Sequence, residues 1–114
     1  MRSAVSRAGY DPSMKINGLD IPDDKLADFC QRWKIMELAL FGSVLRDDFG
    51  PDSDVDVLVE LAPDHGLGLY DLIDMEQELR GIFGRDVDLV TKGGLRNPFR
   101  RHEILSTRQV VYAA

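Results

Sequence analysis

An α/β layer fold is what the sequence predicts, on three observations. Helix-like and strand-like apolar periodicities alternate along the chain, and Gly-, Pro- and Asp-containing turns separate them. The strand-like runs are short and rich in Val, Leu and Ile. The chain of 114 residues is one domain's worth of protein, long enough to bury roughly two thirds of its unfolded surface around one core.

Residues 1–20 show no sustained periodicity; Gly9, Asp11-Pro12 and Asn17-Gly18 punctuate them, and they read as a loosely ordered leader with the domain proper at 21–114. Ile21-Pro22-Asp23-Asp24 then opens a helix, because proline presets φ and the acids suit the positive end of the dipole. Leu26, Phe29, Cys30 and Trp33 recur three and four residues apart and mark its buried face, with Lys34 closing it. Ile35 to Phe41 is short and ends at Gly42, which decides for a strand. Ser43 is placed to cap a short helix through about Phe49, and Gly50-Pro51-Asp52-Ser53 is a turn.

Val55 to Leu61 is the clearest strand. Leu69, Leu72, Ile73, Met75, Leu79, Ile82 and Phe83 mark the next helix, with Gly84 where a C-terminal cap belongs. Asp86 to Thr91 is a third strand, Asn97-Pro98 starts a helix to about Ser106, and Val110-Val111-Tyr112 is a last strand. Internal repeats and low-complexity stretches are absent from the sequence.

Composition excludes several function classes. Hydrophobic content of 44% and charged content of 30% are ordinary for a globular protein. No apolar run reaches the roughly 20 residues that span a bilayer, and residues 1–13 hold no apolar signal core. A single cysteine, Cys30, forbids an internal disulfide and makes the reducing cytoplasm the expected compartment. A formal charge of −6 and a pI near 4.8 argue against a broad nucleic-acid footprint. The charge is uneven, with acids around residues 47–60 and Arg96, Arg100, Arg101, His102 and Arg108 near the end. An acidic cleft attracts cations, and a basic tail attracts phosphate or an acidic partner, unless it is only solvated surface.

The chemistry concentrates in two apolar runs that feed one polar corner. Asp54 and Asp56 lie two apart, so a strand projects both carboxylates from one face while Val55, Val57 and Val59 pack on the other. Such a pair repels itself, and a divalent cation relieves the repulsion; Mg²⁺ prefers one or two carboxylates completed by water and phosphate oxygens. Alone, an Asp-x-Asp at a strand end is more often merely solvated. Gly42 lets the backbone approach a phosphate closely, and Ser43 adds a hydroxyl at a helix N-terminus. Asp86 and Asp88 share a strand face, and Asp88 is flanked by apolar residues, where an unpaired charge is costly. That cost is easiest to explain if Asp88 faces a cation or takes a proton from a nucleophile. Arg46 is placed either to touch phosphate or to pair with Asp47 or Asp48.

Other motifs fail. Asp52-x-Asp54-x-Asp56 starts like a calcium loop, but Val57 stands where glycine is needed and Pro63 where glutamate is needed. Thr91-Lys92-Gly93-Gly94 lacks the order of a phosphate-binding P-loop. His65 has no partner ligand nearby in sequence and reads as solvated.

Gly42-Ser43, ten residues, then Asp54-Val55-Asp56 resembles the signature of the DNA polymerase β-like nucleotidyltransferase superfamily. Phe41-Gly42-Ser43-x-x-Arg46-x-Asp48, the turn Pro51 to Asp56 and Val87-Asp88-Leu89-Val90 resemble its minimal nucleotidyltransferase (MNT) branch, over about Ile21 to Tyr112. Val44-Leu45 and Asp47-Asp48-Phe49 depart from the alanine- and glycine-rich version common in relatives. The resemblance implies a mixed β-sheet with helices packed against it and a site at the strand ends. It implies that Asp54 and Asp56 bind two Mg²⁺ ions with Asp88 completing the set, that Gly42 and Ser43 hold the triphosphate, and that Arg46 is a further nucleotide-binding candidate.

Many MNT proteins are antitoxins beside HEPN-domain ribonuclease toxins and transfer AMP from ATP to a toxin tyrosine. The resemblance therefore implies a magnesium-dependent, type VII-like antitoxin with ATP as substrate and a HEPN toxin as partner, in a homo- or hetero-oligomer. Arg96-x5-His102 matches the Arg-x4-6-His core of HEPN ribonucleases by chance, because those proteins are helical. The alternatives are an antitoxin that acts by stoichiometric binding, and nucleotidylation of a small molecule, which usually needs extra domains.

Overall fold

A computed structural model describes residues 14–114, so most of the expected leader lies outside the described residues. The described remainder differs from that expectation: it is a β-hairpin. β1 (Met14–Ile16) pairs antiparallel with β2 (Leu19–Ile21). Asn17 and Gly18 join them with φ of 53° and 85°, positive values that Asn-Gly tolerates best in a two-residue hairpin turn. Ile16, Leu19 and Ile21 are buried. An alternation of only three apolar residues is too short to read against the glycines and aspartates around it.

α1 (Asp23–Arg32) buries Leu26, Phe29 and Cys30, as the spacing predicts. Pro22 stands at its N-cap, and the basic residue of its last turn is Arg32; Lys34, with φ of 58°, lies beyond the cap. Burial pushes the Cys30 thiol up to about 12, so it packs as a small apolar side chain. Trp33 is half-buried and donates its indole N–H to Glu78 at 3.0 Å, while Arg32 pairs with Asp28 at 2.8 Å and with Glu78. The two contacts to Glu78 fasten the end of α1 to α2 (Leu69–Phe83).

Four strands form the main sheet in the order β5-β4-β3-β6. They are β3 (Ile35–Phe41), β4 (Val55–Leu61), β5 (Val87–Thr91) and β6 (Gln109–Ala113). β4 and β5 run parallel, and the other two pairings are antiparallel. The mixed sheet follows from the connections: α2 gives the length that a parallel crossover requires. Gly84 ends α2 with φ of 69° and donates to the Arg80 carbonyl at 2.8 Å, the cap expected there. Asn97 caps α3 (Pro98–Thr107), accepting from the N–H groups of Phe99 and Arg100 at 3.0 and 3.2 Å, with Pro98 in the first turn.

The pleat sorts the sheet into two unlike faces. Leu38 and Leu40, Val55, Val57 and Val59, and Val87 point to one side, where the hairpin, α1 and α2 bury them with Ile21, Phe29, Met75 and Leu79. Ala39, Phe41 and Leu58 point to the other, where Leu95 and Ile104 cover them from α3 and its approach. The parity that puts Leu58 on this second face also puts Asp56 there. α2 departs from its expected apolar face at one end: Leu69 and Ile73 stay 70% and 42% exposed, at the rim of a shallow cleft shared with Leu72 and Leu89. Among the described residues no helix is long and apolar enough to cross a membrane.

If the hairpin is part of the core, Ile21→Ala removes a fully buried side chain and costs about 2–5 kcal/mol. Urea unfolding monitored through Trp33 will show it as a lowered midpoint at unchanged slope; a shift below about 0.5 kcal/mol would return residues 14–20 to the status of a leader.

Candidate active site

The site forms where β3 ends and β4 begins. Register sets Phe41 opposite Asp56 on the antiparallel side and Asp88 beside Asp56 on the parallel side. One carboxylate is therefore flanked by the motif turn on one strand and by a second carboxylate on the other. Asp54 precedes the first residue of β4 and is exposed, Asp56 is half-buried, and Asp88 is exposed. Exposure of Asp88 corrects the expectation that apolar neighbours bury it. Val87 and Leu89 lie across the pleat from it, so they cover the opposite face of the strand.

Gly42 is required here by two measures. Its φ of 74° is in the left-handed region, and a Cβ built on it would stand 2.3 Å from Asp56 Oδ2. The glycine that the sequence suggests for phosphate approach thus makes room first for the catalytic-candidate carboxylate. The backbone N–H of Ser43 is near enough to that carboxylate to favour its charged form, and the Ser43 hydroxyl lies 3.4 Å from the Asp54 carbonyl. Instead of the helix expected from Ser43 to Phe49, the chain makes one 3₁₀ turn, Gly42–Leu45. Arg46 is extended, with φ of −114° and ψ of 163°, and that conformation ends the helical path. The Asn17 side chain donates to the Val44 and Arg46 carbonyls at 3.2 and 2.5 Å, and the Phe49 N–H donates to the Arg46 carbonyl as well, at 3.3 Å.

The ten-residue connection is held at its far end by Arg85. Its guanidinium donates to the Gly50 carbonyl and, at 2.8 Å, to the Ser53 carbonyl, and it stacks 4.2 Å from the Phe49 ring. Arg46 pairs with Asp48 at 3.3 Å across an exposed surface, one of its two expected partners, and also lines the cleft beside Gly42.

Electrostatics single out Asp56. Burial, then the charges of Asp88 and Asp54, hold its carboxyl above the usual carboxylate range; the Ser43 N–H and the Arg100 guanidinium pull it back. Arg100 belongs to the basic group near the end of the sequence. α3 carries it over the acidic face, where it lines a cleft of about 450 Å³ with Phe41, Gly42, Leu45, Arg46 and Glu103. The only sequence signal for it was a cation in the helix after the third strand. A larger cleft of about 520 Å³ carries Glu60, His65, Lys92 and Arg101, near the far end of β4, and contains none of the motif residues. His65 accepts from the Leu67 N–H at 2.8 Å, so it organises its loop rather than being merely solvated.

Three hard oxygen donors of like charge suit a divalent cation. As the side chains stand, however, no three His, Cys, Asp or Glu among the described residues are gathered closely enough to hold a metal ion.

Comparison with known proteins decides the family. The nucleotidyltransferase domain family matches residues 24–111. The chain belongs to that family. This nucleotidyltransferase is 34% identical over 82 residues to protein adenylyltransferase MntA of Thermococcus cleftensis, covering 72% of this chain and 78% of that protein. Against a Methanocaldococcus jannaschii protein named as a candidate protein adenylyltransferase, identity is 38% over 76 residues, covering 65% and 74%. A solved structure described as a candidate minimal nucleotidyltransferase superposes with a TM-score of 0.64 at 31% identity, over 76% of this chain and 86% of that one. A toxin–antitoxin complex with AMP-PNP superposes with a TM-score of 0.65 at 20% identity, over 81% and 73%, a likeness of fold.

A raised Asp56 pKa has a definite sign. The folded state holds the proton more tightly than the unfolded chain, so this group favours folding at low pH, and that contribution is lost as pH rises through the raised value. Asp56→Asn will therefore melt at a higher temperature than wild type at neutral pH without divalent cations, and the gap will close below about pH 4, where both side chains are neutral. Scanning calorimetry across that range reads it; a constant gap would assign the effect to packing.

Proposed function

We propose that this nucleotidyltransferase transfers AMP from ATP to a hydroxyl of a partner protein, a tyrosine of a HEPN-domain toxin, with Mg²⁺ at Asp54, Asp56 and Asp88. The observation that carries the reading is the register pairing of Asp56 with Asp88 immediately beside Gly42-Ser43. The relatives named as protein adenylyltransferases support AMP and a protein acceptor. Support for a HEPN partner is a fold-level likeness to a complex described as an AMPylated HEPN toxin of Shewanella oneidensis with its MNT antitoxin. Bound divalent cations would supply charge neutralisation at the phosphates and at the attacking oxygen.

The chain's own groups have separable tasks. The Ser43 hydroxyl donates to a phosphate oxygen. Arg100, with Arg46 across the cleft, offsets the negative charge that the carboxylates and the nucleotide bring together. Exposed Asp88 receives the proton of the acceptor hydroxyl. As the acceptor oxygen bonds to the α-phosphorus, the bond to the β-phosphate breaks and pyrophosphate leaves. An acceptor hydroxyl has to arrive on the open side of the sheet, next to α3.

Incubation with a HEPN partner, ATP and Mg²⁺, read by intact mass, tests the activity. Partner mass is expected to rise in AMP steps, and Asp54→Asn to reduce transfer by at least about a hundredfold. Unmodified partner whose toxicity is still neutralised by Asp54→Asn would replace this reading with stoichiometric binding. Arg100→Ala is expected to raise the KM for ATP about tenfold, the loss of a charge-assisted contact; steady-state kinetics check it.

A further inference from the structure

The hairpin β1–β2 lies before residue 24, where the family match begins, yet it reaches the motif turn. Both hydrogen bonds from the Asn17 side chain come from one nitrogen: Nδ2 donates to the Val44 carbonyl at 3.2 Å and to the Arg46 carbonyl at 2.5 Å. The two acceptors bracket the C-terminal half of the Gly42–Leu45 turn. Both are carbonyls, so only the amide nitrogen suits this position, and the orientation of the side chain is determined by chemistry.

The hairpin is itself anchored. Ile16, on one side of the Asn17-Gly18 turn, and Leu19, on the other, are buried in the core, so the turn that carries Asn17 is fixed at both ends. A fixed donor thus meets a turn that is otherwise held by the buried Val44 side chain and by the Arg46 N–H donating to the Ser43 carbonyl at 2.9 Å. The turn has no side-chain cap, and Arg46 leaves it in extended conformation. Yet this turn must keep Gly42 in its left-handed conformation and Ser43 within reach of Asp56.

We propose that Asn17 is a positioning residue for nucleotide binding: it clamps the Gly42–Leu45 turn in the geometry that presents Ser43 to a nucleoside triphosphate. The proposal rests on the nucleotidyltransferase reading of the site. Asn17 touches neither substrate nor carboxylate; it acts through the Val44 and Arg46 carbonyls.

Two variants separate the clamp from the hairpin. Asn17→Gly keeps a residue that accepts positive φ and removes only the side chain; Asn17→Asp keeps size and turn preference but sets a carboxylate against two carbonyls. AMP-PNP binding with Mg²⁺, measured by calorimetry well below the melting temperature, should weaken about fivefold to twentyfold in Asn17→Gly and further in Asn17→Asp. Hydrogen exchange without nucleotide should show the Val44–Arg46 amides opening faster while the β3 and β4 amides keep their protection. Affinity within about twofold of wild type, or unchanged exchange at the turn, would overturn the clamp. Wild type that fails to bind AMP-PNP while the turn amides still respond to Asn17→Gly would instead overturn the nucleotide reading, and the role in nucleotide binding with it.

Discussion

Everything at this site depends on the space that Gly42 leaves empty. A carboxylate oxygen of Asp56 sits 2.3 Å from where any Cβ would be, so a side chain there would displace that carboxylate. The same glycine adopts φ of 74°, which turns the next amide toward that carboxylate. Two requirements, conformational and steric, thus fall on one residue at the end of β3. Their joint result is that Asp56, whose proton affinity is raised by burial and by Asp88 and Asp54, lies close against the backbone at the end of β3.

The two faces of the sheet divide structure from chemistry. One face is filled by Val55, Val57 and Val59 against the hairpin, α1 and α2, and it supplies most of the buried apolar area. The other carries only a small core under α3, ending in the acids. That smaller core places Arg100 opposite Asp56 without burying the site. Charges that would be costly in the interior are kept at its margin, where water still reaches Asp54 and Asp88. The connection between the two halves of the motif is irregular, but it is not loose: Asn17 holds it at one end and Arg85 at the other.

Local chemistry was readable residue by residue. The apolar spacing of α1, the valines of β4, the glycine cap of α2 and the Asn97-Pro98 start of α3 all act within a few residues, and each lies where the pattern indicates. Gly42, Ser43, Asp54 and Asp56 were legible as a group because their spacing joins two adjacent strands. Less legible were features that depend on a distant partner. The hairpin's short alternation acquires meaning only through burial against the core, and the turn that stands in place of the helix expected after Ser43 receives a side chain from residue 17. Asp88 could be chosen as the third acid, but its flanking residues misled about exposure, since they cover the opposite face of the strand.

By itself, then, the sequence determined the α/β class, the strands that carry the acids and the family to which the chain belongs, because periodicity and motif spacing are local properties. Tertiary structure alone decided which cation faces Asp56 and what holds the motif turn. Arg100 and Asn17 reach the site from opposite ends of the chain, and nothing in their immediate neighbours specifies that meeting. It is set by strand register and by the packing of α3 and the hairpin, long-range arrangements that exist only once the core has formed.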